Sequence, residues 1–334
     1  MKKVAINGLG RIGRLVLRQY LMGNYQDLEI VAVNDLSSAE DIVYLMRYDS
    51  VHGKPPFSVK AGADYLRLNS KEIKLFSKKD PVELPWGSLG VDIVLECTGI
   101  FRKREDAAKH LEAGAKRVII SAPSKSADLT VVLGVNEDEF VPEKHQIISN
   151  ASCTTNSLAP ALKVLNDAFE IDSVMVTTIH AYTASQAMVD GPARKKRRGR
   201  AAAVSLIPTS TGSAIATALV LPELEGKMDA IAVRAPIPDG AITDIVAYVR
   251  KKVSVESVNA EFKKAVQGKL QGILDFTEEE IVSADIIDDP HSGIIDGSFT
   301  RVVNDNMIKA LVWYDNEFGY SVRMLDLAVY ISKQ

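Results

Sequence analysis

The sequence predicts an α/β protein in two parts. The first half reads as a parallel sheet with helices on both faces, the second as an α+β region with a mainly antiparallel sheet. Three observations predict this. Short apolar runs alternate with helix-like patterns up to about residue 150, the signature of a parallel sheet covered on both sides. A glycine-rich turn joins the first run to the first helical pattern. From Cys153 onward the strand-like runs lengthen and fewer helices separate them.

The first strand is Lys3-Val4-Ala5-Ile6-Asn7. Gly8-Leu9-Gly10-Arg11-Ile12-Gly13 follows at once, and Arg14-Leu15-Val16-Leu17-Arg18 continues as a helix. G-x-G-x-x-G between a strand and a helix is the context in which the pattern carries meaning. Such glycines allow a tight turn and a close approach of backbone to a pyrophosphate, which then lies on the helix N-terminus. The second strand, Glu29 to Asp35, ends in an acid. Asp35 stands about 20 residues beyond the glycines, the spacing of a carboxylate that binds the adenine ribose hydroxyls. A 2′-phosphate there would meet repulsion, so the pattern favours NAD over NADP. A tight turn without a ligand is the plainer reading of the glycines alone. Val91–Glu96 then reads as a strand, Lys103–Ala115 as a helix, and Arg117–Ser121 and Thr130–Val135 as further strands.

One of the chain's two cysteines, Cys153, opens the second half within Ser152-Cys153-Thr154-Thr155-Asn156. The apolar run Gln146 to Ser149 precedes it. Leu158, Leu162, Leu165 and Phe169 follow at spacings of three and four, as on one helix face. A thiol at the start of a helix lies near unpaired N–H groups that favour an anion, so a lowered pKa and a nucleophilic thiolate are expected. A small buried hydrophobe is the alternative. Cys97, in Val94-Leu95-Glu96-Cys97-Thr98-Gly99, looks like the end of a buried strand. Ser173–His180, Ala230–Pro236, Ile242–Lys251 and Met307–Tyr314 read as strands, and Val255–Gln267 and Glu317–Ser332 as helices.

The chain has 334 residues, enough for two domains, with 46% hydrophobic and 25% charged residues. Its net charge of −3 gives no global attraction to nucleic acid or an anionic membrane. It lacks an apolar run long enough to span a bilayer, and it enters its first strand too soon for a secretory leader. Two cysteines in unlike settings do not make a disulfide framework. A cytoplasmic location is the expectation, and nothing calls for a metal.

With Asn7-Gly8-Leu9-Gly10-Arg11-Ile12-Gly13 and Ala151-Ser152-Cys153-Thr154-Thr155-Asn156, the chain resembles the phosphorylating, NAD-dependent glyceraldehyde-3-phosphate dehydrogenase family. Thr177-Thr178-Ile179-His180-Ala181-Tyr182-Thr183, Pro208-Thr209-Ser210-Thr211-Gly212 and Trp313 to Tyr320 extend the resemblance, which runs in order from residue 2 to about 330. It implies a Rossmann NAD-binding domain over residues 1–150, a catalytic domain over 151–316, and a last helix, about 317–334, packing back on the first domain. It implies a homotetramer, with one cofactor per subunit. It also implies a reaction. Cys153 adds to the aldehyde of glyceraldehyde 3-phosphate, oxidation yields a thioester, and inorganic phosphate cleaves it to 1,3-bisphosphoglycerate. His180 resembles the general base, although a histidine at a strand end reads equally well as a core residue. The remaining histidines, His52, His110, His145 and His291, show no comparable setting.

Arg234 and Thr183 match the site for the substrate's own phosphate; Arg197, Thr211, Ser152, Thr154 and Gly212 match the site for the attacking phosphate. Arginine can bind phosphate through paired N–H bonds. Asn316 matches the residue that orients the nicotinamide carboxamide, and Tyr320 one side of its ring. Lys78, Thr98, Phe101 and Ser121 join Asn7, Gly8, Gly10, Arg11, Ile12, Gly13 and Asp35 as cofactor-side positions. A polar turn at 209–212 and a carboxylate-paired Arg234 are the plainer readings.

Arg194-Lys195-Lys196-Arg197-Arg198-Gly199-Arg200 stands apart in a chain of negative net charge. A motif scan reads such a run as a nuclear-localisation or nucleic-acid segment; the resemblance places it beside a neighbouring subunit's cofactor, and a phosphate pocket or solvated loop is the expectation. Ser157 replaces a cysteine that many relatives carry four residues after the nucleophile. An erythrose-4-phosphate dehydrogenase of the same superfamily, which uses water on the thioester, is one competing reading. A binding protein for RNA or another protein, without catalysis, is the other.

Overall fold

The computed structural model describes residues 1–334 and divides into two units: Met1–Val131 with Asp138–Ala151 and Ser321–Gln334, and Val132–Glu137 with Ser152–Tyr320.

The first unit is organised around the strand Lys2–Asn7, whose Val4, Ala5 and Ile6 have no exposed surface. It is the middle strand of nine. On one side lie Leu28–Asn34, Lys71–Phe76, Tyr65–Leu68 and Val59–Ala61; on the other lie Ile93–Glu96, Arg117–Ile120, Ile147–Ser149 and Leu129–Thr130. From Lys71–Phe76 to Leu129–Thr130 every pairing is parallel. The central strand is flanked by Leu28–Asn34 and by Ile93–Glu96, so the chain reverses its winding direction there. The carboxyl ends at such a switch point form a crevice in open α/β sheets. The helix Arg11–Met22 opens directly after that edge, and Trp86, Val94 and Val118 pack in the core beneath the sheet.

The second unit holds a seven-stranded sheet in the order Ile207–Ser210, Met228–Ala235, Ile171–Ala181, Ala241–Val249, Met307–Tyr314, Gly293–Val303, Leu274–Thr277. Two of its pairings are parallel, Ile171–Ala181 with Met228–Ala235 and Leu274–Thr277 with Gly293–Val303; the rest are antiparallel. Ala241, Thr243, Ile245, Ala247 and Val249 alternate inward, the two-residue period of a half-buried strand. The helices Cys153–Phe169 and Val255–Val266 cover the inner face. Residues Thr154 to Leu162 are all buried. That makes Cys153–Phe169 a core helix rather than an amphipathic one.

Three sequence expectations change. Lys103–Ala115 is two short helices, Arg104–Ala107 and Lys109–Glu112, because Leu111 N–H turns to the Ala108 carbonyl in a tighter turn. The strand expected over Thr130–Val135 stops at Thr130. Beyond it Val132 N–H bonds the Asn136 side chain and Gly134 takes φ +83°, which turns the chain. The strands Val59–Ala61, Tyr65–Leu68 and Lys71–Phe76 were not anticipated, nor were Ile207–Ser210, Leu274–Thr277 and Gly293–Val303; a turn at Asn69, with φ +53°, leads from Tyr65–Leu68 into Lys71–Phe76.

Candidate active site

Ser152 caps the helix Cys153–Phe169, its Oγ accepting the Thr155 N–H at 3.1 Å. Ala151 before it holds φ +54°, a conformation uncommon outside glycine. The capped turn makes Cys153 the first helical residue. Its Sγ lies 3.5 Å from Nε2 of His180. His180 is next to last in the strand Ile171–Ala181, and in the parallel neighbour Met228–Ala235 its register partner is Arg234. That pairing sets Nη1 of Arg234 2.7 Å from Nδ1 of His180 and 2.8 Å from the Ala181 carbonyl, which also lies 2.8 Å from Nδ1. Thr154 Oγ1 and Tyr314 Oη are 2.9 Å apart, and the Tyr314 ring meets His180 edge-on.

The electrostatics differ from the lowered thiol expected of a helix N-terminus. Loss of water around the sulfur pushes the Cys153 thiol up, and this outweighs the pull of Arg234 and of the Thr154 hydroxyl and N–H. Burial, aided by Arg234, takes His180 down to about 3. The pair is therefore a thiol facing a neutral imidazole. Burial also lowers Arg234 and raises Tyr314.

Around this centre lie hydroxyl and cationic donors. Thr183 Oγ1 is 2.9 Å from Ser185 Oγ, and Thr211 Oγ1 accepts the Ser213 N–H at 3.2 Å. Gly212, which caps the short helix Ser213–Ala218, faces open space. Within the basic run, Arg197 is exposed, whereas Arg198 turns inward. Its Nε donates to Thr209 at 3.0 Å, its Nη1 to Ser185 at 3.2 Å, and its charge reaches both His180 and Arg234. The sequence expectation fell on Arg197; of the two, Arg198 is the one that reaches these hydroxyls. Lys195 donates to Ser210 at 2.6 Å, and Arg200 pairs with Asp190.

Asn316 is buried, with Oδ1 lacking a hydrogen-bond partner, as suits a side chain that meets a ligand amide. The preceding Asp315 accepts the Glu317 and Phe318 N–H groups and so starts the last helix, in whose first turn Tyr320 is buried.

At the glycine turn of the first unit the backbone fits a dinucleotide. A Cβ on Gly13 would lie 1.9 Å from the Gly8 carbonyl oxygen. Gly8, at φ +93°, already packs on Thr98, and Gly10 has nothing within 4 Å to fill its space. Gly10 caps the Arg11–Met22 helix without a side chain, and Ile12 sits in its first turn. Asp35 Oδ2 accepts the Leu9 N–H at 2.6 Å and Oδ1 the Ser37 N–H at 2.8 Å. A carboxylate keeps further lone pairs for ribose hydroxyls. The Arg11 guanidinium meets Asp49, a partner the sequence did not suggest. Burial raises Asp49, but Arg11 and the His52 and Val51 N–H groups outweigh it and hold Asp49 at about 2. Lys78 N–H bonds Asn34, and Ser121 N–H bonds the Glu96 carbonyl. Cys97 is buried and raised, as a strand end implies.

His110 has a buried setting of its own, unlike that of His180. It is wholly buried, with Nε2 3.1 Å from Glu96 and Nδ1 3.0 Å from the Trp86 indole N–H; Phe101 packs edge-on against its ring. Glu96, Trp86 and Asn34 were not singled out from sequence, because their partners lie far along the chain.

Residues 2–104 match the family described as glyceraldehyde 3-phosphate dehydrogenase, NAD binding domain, and residues 152–316 match its C-terminal domain. Curated relatives match nearly end to end. A glyceraldehyde-3-phosphate dehydrogenase of Geobacillus stearothermophilus is 53% identical over 332 residues, covering 99% of this chain and 98% of the relative. Glyceraldehyde-3-phosphate dehydrogenase 2 of Streptomyces avermitilis is 52% identical over 332 residues, with 99% of each chain covered. Glyceraldehyde-3-phosphate dehydrogenase 1 of Bacillus subtilis is also 52% identical, with 99% and 98% covered.

Proposed function

This chain belongs to the glyceraldehyde-3-phosphate dehydrogenase family and is an NAD-dependent oxidoreductase of that type, and from that premise we propose that Cys153 is its nucleophile, His180 its base, and inorganic phosphate the group that releases the product. The observation that carries the reading is the 3.5 Å approach of Cys153 Sγ to His180 Nε2, with Arg234 behind the imidazole.

Cys153 Sγ adds to the aldehyde carbon, and its proton passes by way of His180 Nε2 to the new alkoxide oxygen, giving the hemithioacetal hydroxyl and leaving Nε2 free. That transfer needs a lone pair on Nε2, hence a proton on Nδ1, which donates to the Ala181 carbonyl. Arg234 is a donor only, so its Nη1 must leave Nδ1 and turn to an anion, which suits a substrate phosphate. When bound, NAD supplies the hydride acceptor. His180 takes the hydroxyl proton as the hemithioacetal is oxidised, leaving a thioester on Cys153. Splitting the reaction at a covalent stage replaces one hard step by two easier ones. Phosphate held by Arg198, Thr211, Gly212 and the Ser152–Thr154 turn then attacks the thioester carbon, the C–S bond breaks with its electron pair going to sulfur, acyl phosphate leaves, and the sulfur regains the proton held on His180 Nε2. Asp35 and the Gly8–Gly13 turn orient the cofactor, with Asp35 favouring NAD over NADP; Asn316 is the proposed partner of the nicotinamide carboxamide.

The outer face of the seven-stranded sheet exposes Met175, Ile231, Tyr248 and Phe299, each at least 44% accessible. That apolar area supports assembly with further copies of the chain as a homotetramer. No helix is long and apolar enough to cross a membrane; a cytoplasmic setting is proposed from the two unpaired cysteines.

The test is appearance of reduced cofactor from glyceraldehyde 3-phosphate and NAD, with and without inorganic phosphate. Phosphate-dependent turnover is expected. Equal turnover without phosphate, and stronger with erythrose 4-phosphate, would overturn the phosphorolytic step. A folded protein inert toward both would return the non-catalytic binding role.

A further inference from the structure

We infer that Glu96 is the positioning residue of the cofactor edge: two one-way chains of hydrogen bonds end on its carboxylate and through it fix Asn7 and Thr98 against the glycine turn. The inference rests on the proposed placement of the dinucleotide at Gly8–Gly13.

Asn34, Asn7 and Glu96 are the last residues of three adjacent parallel strands and are direct register partners, Asn7 with both others. Side chains at matched positions in neighbouring strands project to the same face. All three are buried, at 4%, 1% and 1% exposed. At that depth each donor and acceptor needs a partner. Lys78 N–H donates to Asn34 Oδ1 at 2.8 Å. Asn34 Nδ2 donates to the Lys78 carbonyl at 2.9 Å and to Asn7 Oδ1 at 2.7 Å. Asn7 Nδ2 then donates to Glu96 Oε2 at 2.6 Å.

The second chain comes from the core side. An indole N–H can only donate, so Trp86 makes His110 Nδ1 an acceptor. His110 must then carry its proton on Nε2, where it donates to Glu96 Oε2 at 3.1 Å. On the other oxygen, Oε1 accepts the Thr98 N–H at 2.8 Å and the Thr98 hydroxyl. The same hydroxyl accepts the Ile100 N–H at 3.0 Å. Four donors thus converge on one buried carboxylate, and no Lys or Arg lies among them.

The direction of the chains matters. Reversing the Asn7 amide would set its oxygen against Glu96 and its NH2 against the Asn34 NH2. Asn34 in turn is fixed by both backbone groups of Lys78. Only an acceptor at both oxygens of residue 96 terminates the arrangement. Thr98 is the wall against which Gly8 packs: a Cβ on Gly8 would stand 2.8 Å from the Thr98 nitrogen. Glu96 thereby sets where the phosphate-facing turn lies without itself touching a ligand.

The test is Glu96→Gln, which keeps size and replaces one acceptor by a donor. NAD affinity by titration calorimetry is expected to weaken at least tenfold, about 1.4 kcal/mol, with KM for NAD rising in step. kcat at saturating NAD and KM for the aldehyde should stay within about twofold. Leu66→Ala, a buried change in the same unit, should lower Tm and leave the NAD affinity alone. An NAD affinity in folded Glu96→Gln equal to wild type, or one that falls equally in Leu66→Ala, overturns the inference. Should Glu96→Gln not fold, Trp86→Phe and Thr98→Val carry the test. A weakening of about threefold in both is expected, and no change in either overturns the inference. Asp35→Ala is measured alongside. If it also leaves NAD binding untouched, the placement of the cofactor edge fails; if it weakens binding while Glu96→Gln does not, the positioning role alone fails.

Discussion

The two polar centres of this enzyme are built on opposite principles. At the carboxyl edge of the first sheet, Asn34, Asn7 and Glu96 form an ordered donor-to-acceptor ladder in which the terminal carboxylate meets four donors. Around Cys153 the groups are held in mutual discomfort. The thiol is pushed up, the imidazole is down to about 3, and Arg234 keeps Nε buried without a partner while Nη1 crowds Nδ1 of His180. A satisfied network is rigid and suits a receptacle. A cluster of opposed pKa shifts is poised to move protons, as reaction centres are.

That contrast is broken most directly at Cys153, the proposed nucleophile. Cys153→Ser is expected to lower turnover by more than about a thousandfold, while NAD binding stays within twofold, since the two centres are built from different residues. Comparable turnover in the serine variant would remove Cys153 from the chemistry; a collapse of NAD affinity would show that the centres are not independent. His180→Asn should lower kcat by about a hundred- to ten-thousandfold. Arg234→Ala should also slow alkylation of Cys153 at pH 8, because the arginine's charge pulls the thiol down and its loss lets the pKa rise. Faster alkylation would mean that Arg234 acts on the thiol in the opposite sense.

On the receptacle side, Asp35→Ala removes the acceptor of the Leu9 and Ser37 N–H groups and the repulsion toward a 2′-phosphate. The ratio of kcat/KM for NAD over NADP should fall about tenfold or more. An unchanged ratio would place cofactor discrimination elsewhere. A smaller change sharpens the reading of the basic run: Arg198→Ala should raise KM for inorganic phosphate several-fold and Arg197→Ala should not, since only Arg198 reaches Thr209 and Ser185. The reverse order would restore the sequence expectation for Arg197.

What could be read from sequence divides along the same line. Features governed by near neighbours were legible: the strand Met307–Tyr314 keeps its bounds in the structure, the glycine turn follows its strand, and Cys153 opens its helix. Features made by distant residues were not. The Asn7–Glu96 bond spans 89 positions, so nothing beside Glu96 announced its role. The sign of the Cys153 shift failed for the same reason: the helix N-terminus is local and favours a thiolate, but the burial that overrules it comes from the whole fold. Arg197 and Arg198 are adjacent equal charges, and only the turn Lys196–Gly199 decides which one faces Thr209.

The smallest expected effect tests whether the discomfort at the reaction centre is a property of the fold itself. Burial holds His180 at about 3, whereas an unfolded imidazole titrates near 6.5. Between those values the unfolded chain binds more protons than the folded one, so stability rises with pH there. The contribution of neutral His180 is whole above about pH 6.5 and drains as the pH falls toward 3. Thermal midpoints of the wild type should therefore decline on acidification from about pH 6.5 to about pH 5. His180→Asn, which removes the titrating ring, should decline less steeply by a few degrees, whatever its absolute midpoint. Parallel curves for the two proteins would mean that His180 takes up a proton as easily folded as unfolded. The reaction centre would then lack the opposed shifts that set it apart from the Glu96 ladder.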